Sequence, residues 1–299
     1  MLSLRSSAMP LGEALVKLGR IRKQRNSSSP LLTVVMATLN AAPDLPGSLG
    51  SLAAQDFRDF EVVLVDGGSS DATCQTAVSL LQAARISHRL VELPGSGIYE
   101  ALNRGIAEAK GEWLYVMGAD DRLITERILK AAAEVLCQAK PQILVVHGDV
   151  WIDKPGYRYG QPWDWPRFLE RNISHQSAFY RRRPIQRLGI TYNQSYSLYA
   201  DWDYNLKLFA KGPFQYVPLL IAVYACTGLS SRRVDQLFLA EKERNARRYL
   251  GWRSIGLMPP HHFSLAAEAC SGPGYRVQLL LNRSFWAMKR CFRKDQGSS

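Results

Sequence analysis

The sequence is poor in cysteine. Its five (Cys74, Cys137, Cys226, Cys270 and Cys291) are odd in number, widely spread and never in a CxxC pair. That pattern excludes a disulfide scaffold and a zinc ribbon, and it suits a reducing compartment. Long apolar runs are missing as well. The longest, around Leu31 to Met36, Ile143 to Val146 and Val217 to Cys226, fall short of the roughly 18 residues that a bilayer-spanning helix needs. The first thirty residues are basic but hold no continuous apolar stretch and no small-residue cleavage site, so export is not expected. What is present is a chain of 299 residues, 46% apolar, enough for one large or two small domains with a buried core.

The formal net charge of +12 invites a nucleic-acid reading until it is located. Residues 1–29 hold six Lys/Arg against one Glu, and residues 232–299 hold thirteen against five acidic groups. Residues 30–231 hold nineteen against twenty. A nearly neutral centre with two basic ends reads as a catalytic core kept near an anionic surface, membrane or nucleic acid. The expected organisation is a basic extension over 1–29, joined through Ser27-Ser28-Ser29-Pro30 to a domain over 30–231, then a basic helical region over 232–299.

Within the central domain, short β-branched runs alternate with helix-length segments. The expected strands are Leu32 to Thr38, Phe60 to Val65, His88 to Leu93, Trp113 to Met117 and Ile143 to Val146. The expected helices between them are Pro46 to Gln55, Ala72 to Ala84, Ile98 to Ala109 and Thr125 to Gln138. Starts spaced by about thirty residues match βαβ units and predict an α/β fold with a mostly parallel sheet flanked by helices.

Ligands of such sheets bind at the carboxyl ends of the strands. The residues there are Thr38-Leu39-Asn40, Asp66-Gly67-Gly68-Ser69-Ser70-Asp71, Pro94-Gly95-Ser96-Gly97, Gly118-Ala119-Asp120-Asp121 and His147-Gly148-Asp149. Carboxylates after three of five strands describe a cleft for a cation and a phosphorylated ligand. Asp66 can accept the ring N–H of a nucleotide base. Two adjacent carboxylates, Asp120 and Asp121, repel one another unless a cation such as Mg2+ or Mn2+ lies between them and a diphosphate. Beyond Trp151 the rhythm is lost and aromatics accumulate, which either fill a core or stack on sugar rings.

Four segments occur in order over residues 31–210: LLTVVMATLNA, FEVVLVDGGSSDAT, GIYEALNRGIAEAKGEWLYVMGADD, and HQSAFYRR followed by ADWDYNLKLF. Together they resemble the family 2 glycosyltransferases of the GT-A fold, especially the bacterial exopolysaccharide branch. The resemblance implies a Rossmann-like GT-A domain with a nucleotide-binding half over 30–150 and an acceptor half over 151–231. It also implies inverting, metal-dependent transfer of a sugar from a nucleoside-diphosphate sugar to a lipid-linked saccharide. UDP is the first expectation for the donor, with GDP or dTDP as alternatives because Leu39 stands where many relatives carry an aromatic. The setting implied is surface polysaccharide synthesis, in the cytoplasm, at the inner face of the cytoplasmic membrane.

Residue by residue, the resemblance carries the donor site onto Thr38, Asn40, Asp66, Gly68, Ser69, Gly97, Tyr99, Asn103, Gly118, Ala119 and Asp120, and the metal onto Asp120 and Asp121. Gly118 stands where the first Asp of the family's DxD motif would be, leaving Asp120 as its ligand. Asp201 matches the catalytic base, which takes the proton of the acceptor hydroxyl; Asp203 is its understudy and His175 lies on the acceptor side. Asp201 and Asp71 could equally cap the helices that follow them. Arg181, Arg182 and Arg183 either grip an acceptor phosphate or form a solvated run.

The tail from Val277 to Lys294 interleaves Leu, Phe and Trp with Lys and Arg, and reads as an interfacial membrane helix or one docked on the domain. Leu11 to Ile21 is a weaker version. Competing readings are an inactive transferase-like scaffold, motivated by Gly118, and a basic nucleic-acid-binding protein; in the leading reading no nucleic acid is expected as a partner. A nucleotidyltransferase is disfavoured because Ala41-Ala42-Pro43-Asp44 offers no glycine-rich phosphate loop.

Overall fold

The computed structural model describes residues 29–225 and 234–251. Four strands, β1 (Leu32–Thr38), β2 (Phe60–Asp66), β3 (Ser87–Glu92) and β4 (Trp113–Val116), alternate with α1 (Leu45–Ala53), α2 (Thr73–Ala83) and α3 (Ile98–Glu108). There follow β5 (Arg122–Leu123), α4 (Ile128–Gln138), β6 (Val145–Ile152), β7 (Tyr157–Tyr159) and α5 (Trp165–Glu170). A 3-10 turn (His175–Ser177) then leads into β8 (Ala178–Arg181), α6 (Arg182–Arg187), α7 (Ala200–Lys211), β9 (Phe214–Tyr224) and α8 (Gln236–Leu250).

The sheet runs β3-β2-β1-β4-β8-β6-β9-β5, with β7 on β6. Its first four strands are parallel, as the repeating pattern predicts. The rest is mixed: β8 is antiparallel to β4 and β6, while β9 is parallel to β6 and antiparallel to β5. Period-2 side chains divide the apolar content between two layers. Val34 and Met36 pack with Leu45, Leu49 and Leu52 of α1 on one face, and Val35 packs with Leu102 and Ile106 of α3 on the other. Being covered on both faces, β1 reads as a continuous apolar run, LTVVMAT. The outer strand β3, SHRLVE, carries exposed polar groups that blunt its edge.

Thr38 pairs with Asp66 and Asp66 with Glu92, so β1, β2 and β3 end level. The loops after them emerge along one edge together with residues 117–121. Because β8 is antiparallel to β4, with Phe179 opposite Tyr115, the His175–Ser177 turn that enters β8 lies at that same edge. One expected loop is not a loop. His147-Gly148-Asp149 runs inside β6, where a Cβ on Gly148 would come within 2.4 Å of the Leu219 carbonyl. A glycine that lets two backbones approach looks like a turn residue in a sequence. His147 and Asp149 are buried there, and the Asp149 carboxylate pairs with Arg158 and accepts from the Tyr216 hydroxyl at 3.1 Å.

Helix α8, capped by Asp235 on the Phe238 N–H at 3.0 Å, docks on the domain. The same carboxylate accepts from the Leu198 N–H at 3.0 Å, and Tyr249 donates to Asp203 at 2.7 Å. Among the described residues no helix is long and apolar enough to cross a membrane. The basic segments around Leu11 to Ile21 and Val277 to Lys294 lie outside the described residues. Among the described aromatics from Trp151 onward, Tyr192, Tyr196, Trp202 and Tyr204 are buried in the core, and Trp151 is the most exposed, at 37%.

Candidate active site

Asp66 organises the loops after β1 and β2. It is buried at the end of β2, and its Oδ1 accepts from Thr38 Oγ1 at 3.1 Å and Ser69 Oγ at 2.6 Å. Its Oδ2 accepts from the N–H groups of Gly68 at 3.0 Å and Ser69 at 2.7 Å. Burial pushes the carboxyl up, but these bonds outweigh it and hold it below the usual carboxylate range. All four lone-pair positions are thus engaged by the chain itself, and a base N–H must displace or share one. The first loop is laced to the second: the Asn40 N–H donates to Ser69 Oγ at 2.8 Å, and Asn40 Oδ1 accepts from the Ser70 N–H at 2.9 Å. Asp71 joins this lacing through Ala42 and Thr73, while the cap position of α2 is Ala72.

The second cluster surrounds residues 118–121. Asp121 is buried, accepting from the Gly118 N–H at 2.8 Å and from Gln176 Nε2 at 3.2 Å. A Cβ at position 118 would meet Asp121 Oδ2 at 2.8 Å and Asp120 Oδ1 at 3.0 Å. Two carboxylates therefore converge over a residue without a side chain. Ala119 and Asp120 are half-buried beside it. His175, next to Gln176, brings Nδ1 within 3.7 Å of Asp201 Oδ2. Burial works against an imidazolium, but Asp201, Asp121 and Asp120 outweigh it and raise the His175 pKa. Among the described residues no group of three or more His, Cys, Asp or Glu side chains is placed to hold a metal. The donor set nevertheless suits a hard cation bound by one or two carboxylates and completed by phosphate and water.

Burial, with Asp120 beside it, pushes Asp121 up to about 6. The unfolded chain binds that proton less tightly, so Asp121 favours folding at low pH and loses its contribution as pH rises through about 6. In chelator, Asp121→Asn should therefore gain stability relative to the parent between pH 4 and 8, by on the order of 3 kcal/mol. Urea unfolding across that range measures it; a constant difference between the two proteins would show that Asp121 is not strained by its charge.

Asp201 lies in the first turn of α7, one residue past the start, so the helix cap is Tyr199 and not Asp201. Its Oδ1 accepts from the Trp202 N–H at 2.9 Å and its Oδ2 from Asn172 Nδ2 at 2.8 Å. Asp203 is not brought to the cluster: it is fully buried, ion-paired with Lys207 at 2.7 Å and bonded to Tyr249. Tyr99 and Asn103 also turn away from the loops after β1 and β2. Tyr99 donates to the Leu198 carbonyl and stacks on Tyr192, and Asn103 makes two 2.9 Å bonds with the Tyr192 backbone. They fasten α3 to the segment that leads into α7. Gly97 caps α3 with φ −75, and the left-handed turn belongs instead to Gly95, φ +80.

The arginine run is divided. Arg181 lies over Trp113 at 4.2 Å and bonds the carbonyls of Ile143, Ala139 and Lys140, and Arg182 bonds those of Gly111 and Lys110. Both brace the base of the sheet. Sequence reasoning missed Asn172, which sits in a loop with no motif around it; only its contact with Asp201 reveals it.

The profile of glycosyl transferase family 2 matches residues 33–196, over half of the chain. The chain belongs to this family. A "PGL/p-HBAD biosynthesis glycosyltransferase" from Mycobacterium bovis (strain BCG / Pasteur 1173P2) is 37% identical over 234 residues, covering 76% of this chain and 89% of that relative. Among solved structures, S. aureus TarS 1–349 in complex with UDP-GlcNAc superposes with a TM-score of 0.61 at 19% identity, over 78% of this chain and 73% of that one. The mannosyltransferase PcManGT from Pyrobaculum calidifontis, in complex with GDP-Man and Mn2+, gives 0.56 at 20% identity, over 95% and 90%. At these identities the two structures establish the fold: this family 2 glycosyltransferase has the GT-A architecture.

Proposed function

We propose that this glycosyltransferase inverts configuration, depends on a divalent cation and moves a sugar from a nucleoside-diphosphate sugar to a lipid-linked saccharide at the inner face of the cytoplasmic membrane. The observation that carries the reading is the approach of two functional groups across one edge of the sheet. The Asp201 carboxylate comes within 3.7 Å of His175, and the neighbouring Gln176 bonds Asp121. A base and a pair of cation-binding carboxylates thus face a common space.

The reaction needs one displacement. The acceptor hydroxyl attacks the anomeric carbon and forms the new C–O bond. Its proton passes to Asp201, while the bond to the diphosphate breaks and the nucleoside diphosphate leaves with the electron pair. Attack opposite the leaving group inverts the anomeric centre. Asp120 and Asp121 would hold the cation, Mg2+ or Mn2+, which when bound neutralises charge on the departing diphosphate. His175 would keep a positive charge between base and diphosphate. Thr38, Asn40, Asp66, Gly68 and Ser69 are proposed to line the nucleoside, with Gly97, Gly118 and Ala119 beside the diphosphate. UDP is the first candidate for the donor: UDP-GlcNAc is bound in TarS and GDP-Man in PcManGT. The lipid-linked acceptor draws support from the name of the mycobacterial relative and from the basic charge at both ends of the chain.

A thermal-shift panel of UDP, GDP, dTDP and CMP, each with and without Mn2+, tests the donor and the cation together, because ligands of the folded state raise its melting temperature. A Mn2+-dependent shift with one nucleoside diphosphate supports the reading and names the base. No shift with any would favour the inactive scaffold.

A further inference from the structure

The polar groups behind Asp201 form a one-way chain. Tyr180, fully buried in β8, donates its hydroxyl to Asn205 Oδ1 at 3.1 Å. Asn205 Nδ2 donates to Asn172 Oδ1 at 2.9 Å, and Asn172 Nδ2 donates to Asp201 Oδ2 at 2.8 Å. Asp201 and Asn205 are four apart on α7, so they share a face, and the Asn172 amide spans them. The backbone carbonyl of Asn172 accepts from the Tyr159 hydroxyl at 2.6 Å, which ties its loop to β7.

The direction of this chain follows from its end. An ionised carboxylate can only accept, so Asn172 must present its NH2 to Asp201 and its oxygen to Asn205. Asn205 must then present its own NH2 and turn its oxygen to Tyr180, whose hydroxyl completes the series as a donor. Each amide orientation is dictated by the next group along, and the whole arrangement matches an Asp201 that carries charge. Asn205 is fully buried, where an unpaired amide is costly, and this is a reason for the chain to be complete.

We propose that Asn172 is the positioning residue of this reaction, holding Asp201 aimed at the acceptor hydroxyl through a relay from Asn205 and Tyr180. The inference rests on Asp201 being the base. With Asn172 on Oδ2 and the Trp202 N–H on Oδ1, both oxygens are anchored, and each keeps a lone pair for the incoming hydroxyl proton. A side chain held at both oxygens does not rotate away, and small displacements of a reacting group cost large factors in rate.

The test is steady-state kinetics with the donor and acceptor that the enzyme uses. Asn172→Ala should lower kcat by on the order of 10- to 100-fold with the donor KM unchanged. Asn172→Asp, nearly the same shape but with no N–H to donate, should lose kcat at least as far, again with the donor KM unchanged. Melting temperatures of both variants separate a folding defect from a positioning one, since a merely structural residue would lower the melting temperature without splitting kcat from KM. A parent-like kcat in Asn172→Ala, with Asp201→Asn inactive, would overturn this inference alone. Full transfer in Asp201→Asn would overturn the base assignment and this inference with it.

Discussion

Asp201→Asn should bind the donor as the parent does and lose transfer by roughly 10²- to 10⁴-fold, the contribution a positioned general base makes. The substitution is close to isosteric, and the Oδ atom can still accept from either Asn172 or the Trp202 N–H. What disappears is the proton acceptor, so kcat falls while the nucleotide-induced thermal shift is kept. No neighbour can take over at the full rate. Asp203, two residues on, is fully buried and tied to Lys207 and Tyr249, and moving it to the cluster would break its ion pair with the half-buried Lys207. His175 is close enough, but Asp201, Asp121 and Asp120 raise its pKa and so favour the protonated form, which has no lone pair to offer. Removing the Asp201 charge takes away one of those three carboxylates, so a slow residual rate that rises at alkaline pH would come from His175. Parent-like turnover at neutral pH would show that Asp201 is not the base.

The sequence carried the parallel half of the fold because there local pattern and tertiary role coincide. β1 is buried on both faces, so its apolar run needs no knowledge of partners, and its bounds read directly as Leu32 to Thr38. The helices between strands show apolar spacing that faces one layer only, as in Leu45, Leu49 and Leu52 of α1. The second half escapes for a physical reason: its strands are antiparallel or cross over, and they carry buried polar groups. His147 and Asp149 look like loop residues, yet β6 buries them because Arg158 and Tyr216 satisfy the carboxylate. Sequence cannot supply those partners, which come from nine and sixty-seven residues away.

The site was legible in the same uneven way. Residues whose chemistry is local, such as Asp66 with Ser69 or Asp121 with Gly118, follow from the loops that hold them. Tyr99 and Asn103 do not, because their partners are the backbones of Leu198 and Tyr192, about ninety residues on. A polar residue on the first turns of a helix faces the ligand cleft in one fold and a neighbouring loop in another, and only packing decides. Asn172 is the extreme case, an asparagine in an irregular segment whose place beside Asp201 depends on both α7 and β7.

Asp120→Ala should abolish the Mn2+-dependent part of nucleotide binding. Asp120 and Asp121 approach one another over Gly118, and Asp120 adds to the cost of charging Asp121. Asp120 is among the causes that raise Asp121 to about 6. Without cation, removing Asp120 therefore relieves repulsion, Asp121 ionises more readily, and the variant should be slightly more stable than the parent at neutral pH. With cation the order reverses. The parent, at a ligand concentration about a hundredfold above its dissociation constant, gains roughly 2.7 kcal/mol from mass action, whereas the variant keeps only what the proposed nucleoside contacts at Asp66 and Asn40 would provide. Calorimetric titration of a nucleoside diphosphate with and without Mn2+, alongside melting curves in chelator, reads both effects. The crossing of the two stability orders is the decisive feature, since a residue that merely supported the loop would lower stability with and without the cation. An unchanged Mn2+-dependent titration in Asp120→Ala would remove the cation from this site, leaving Asp121 and Gln176 as a structural pair behind His175.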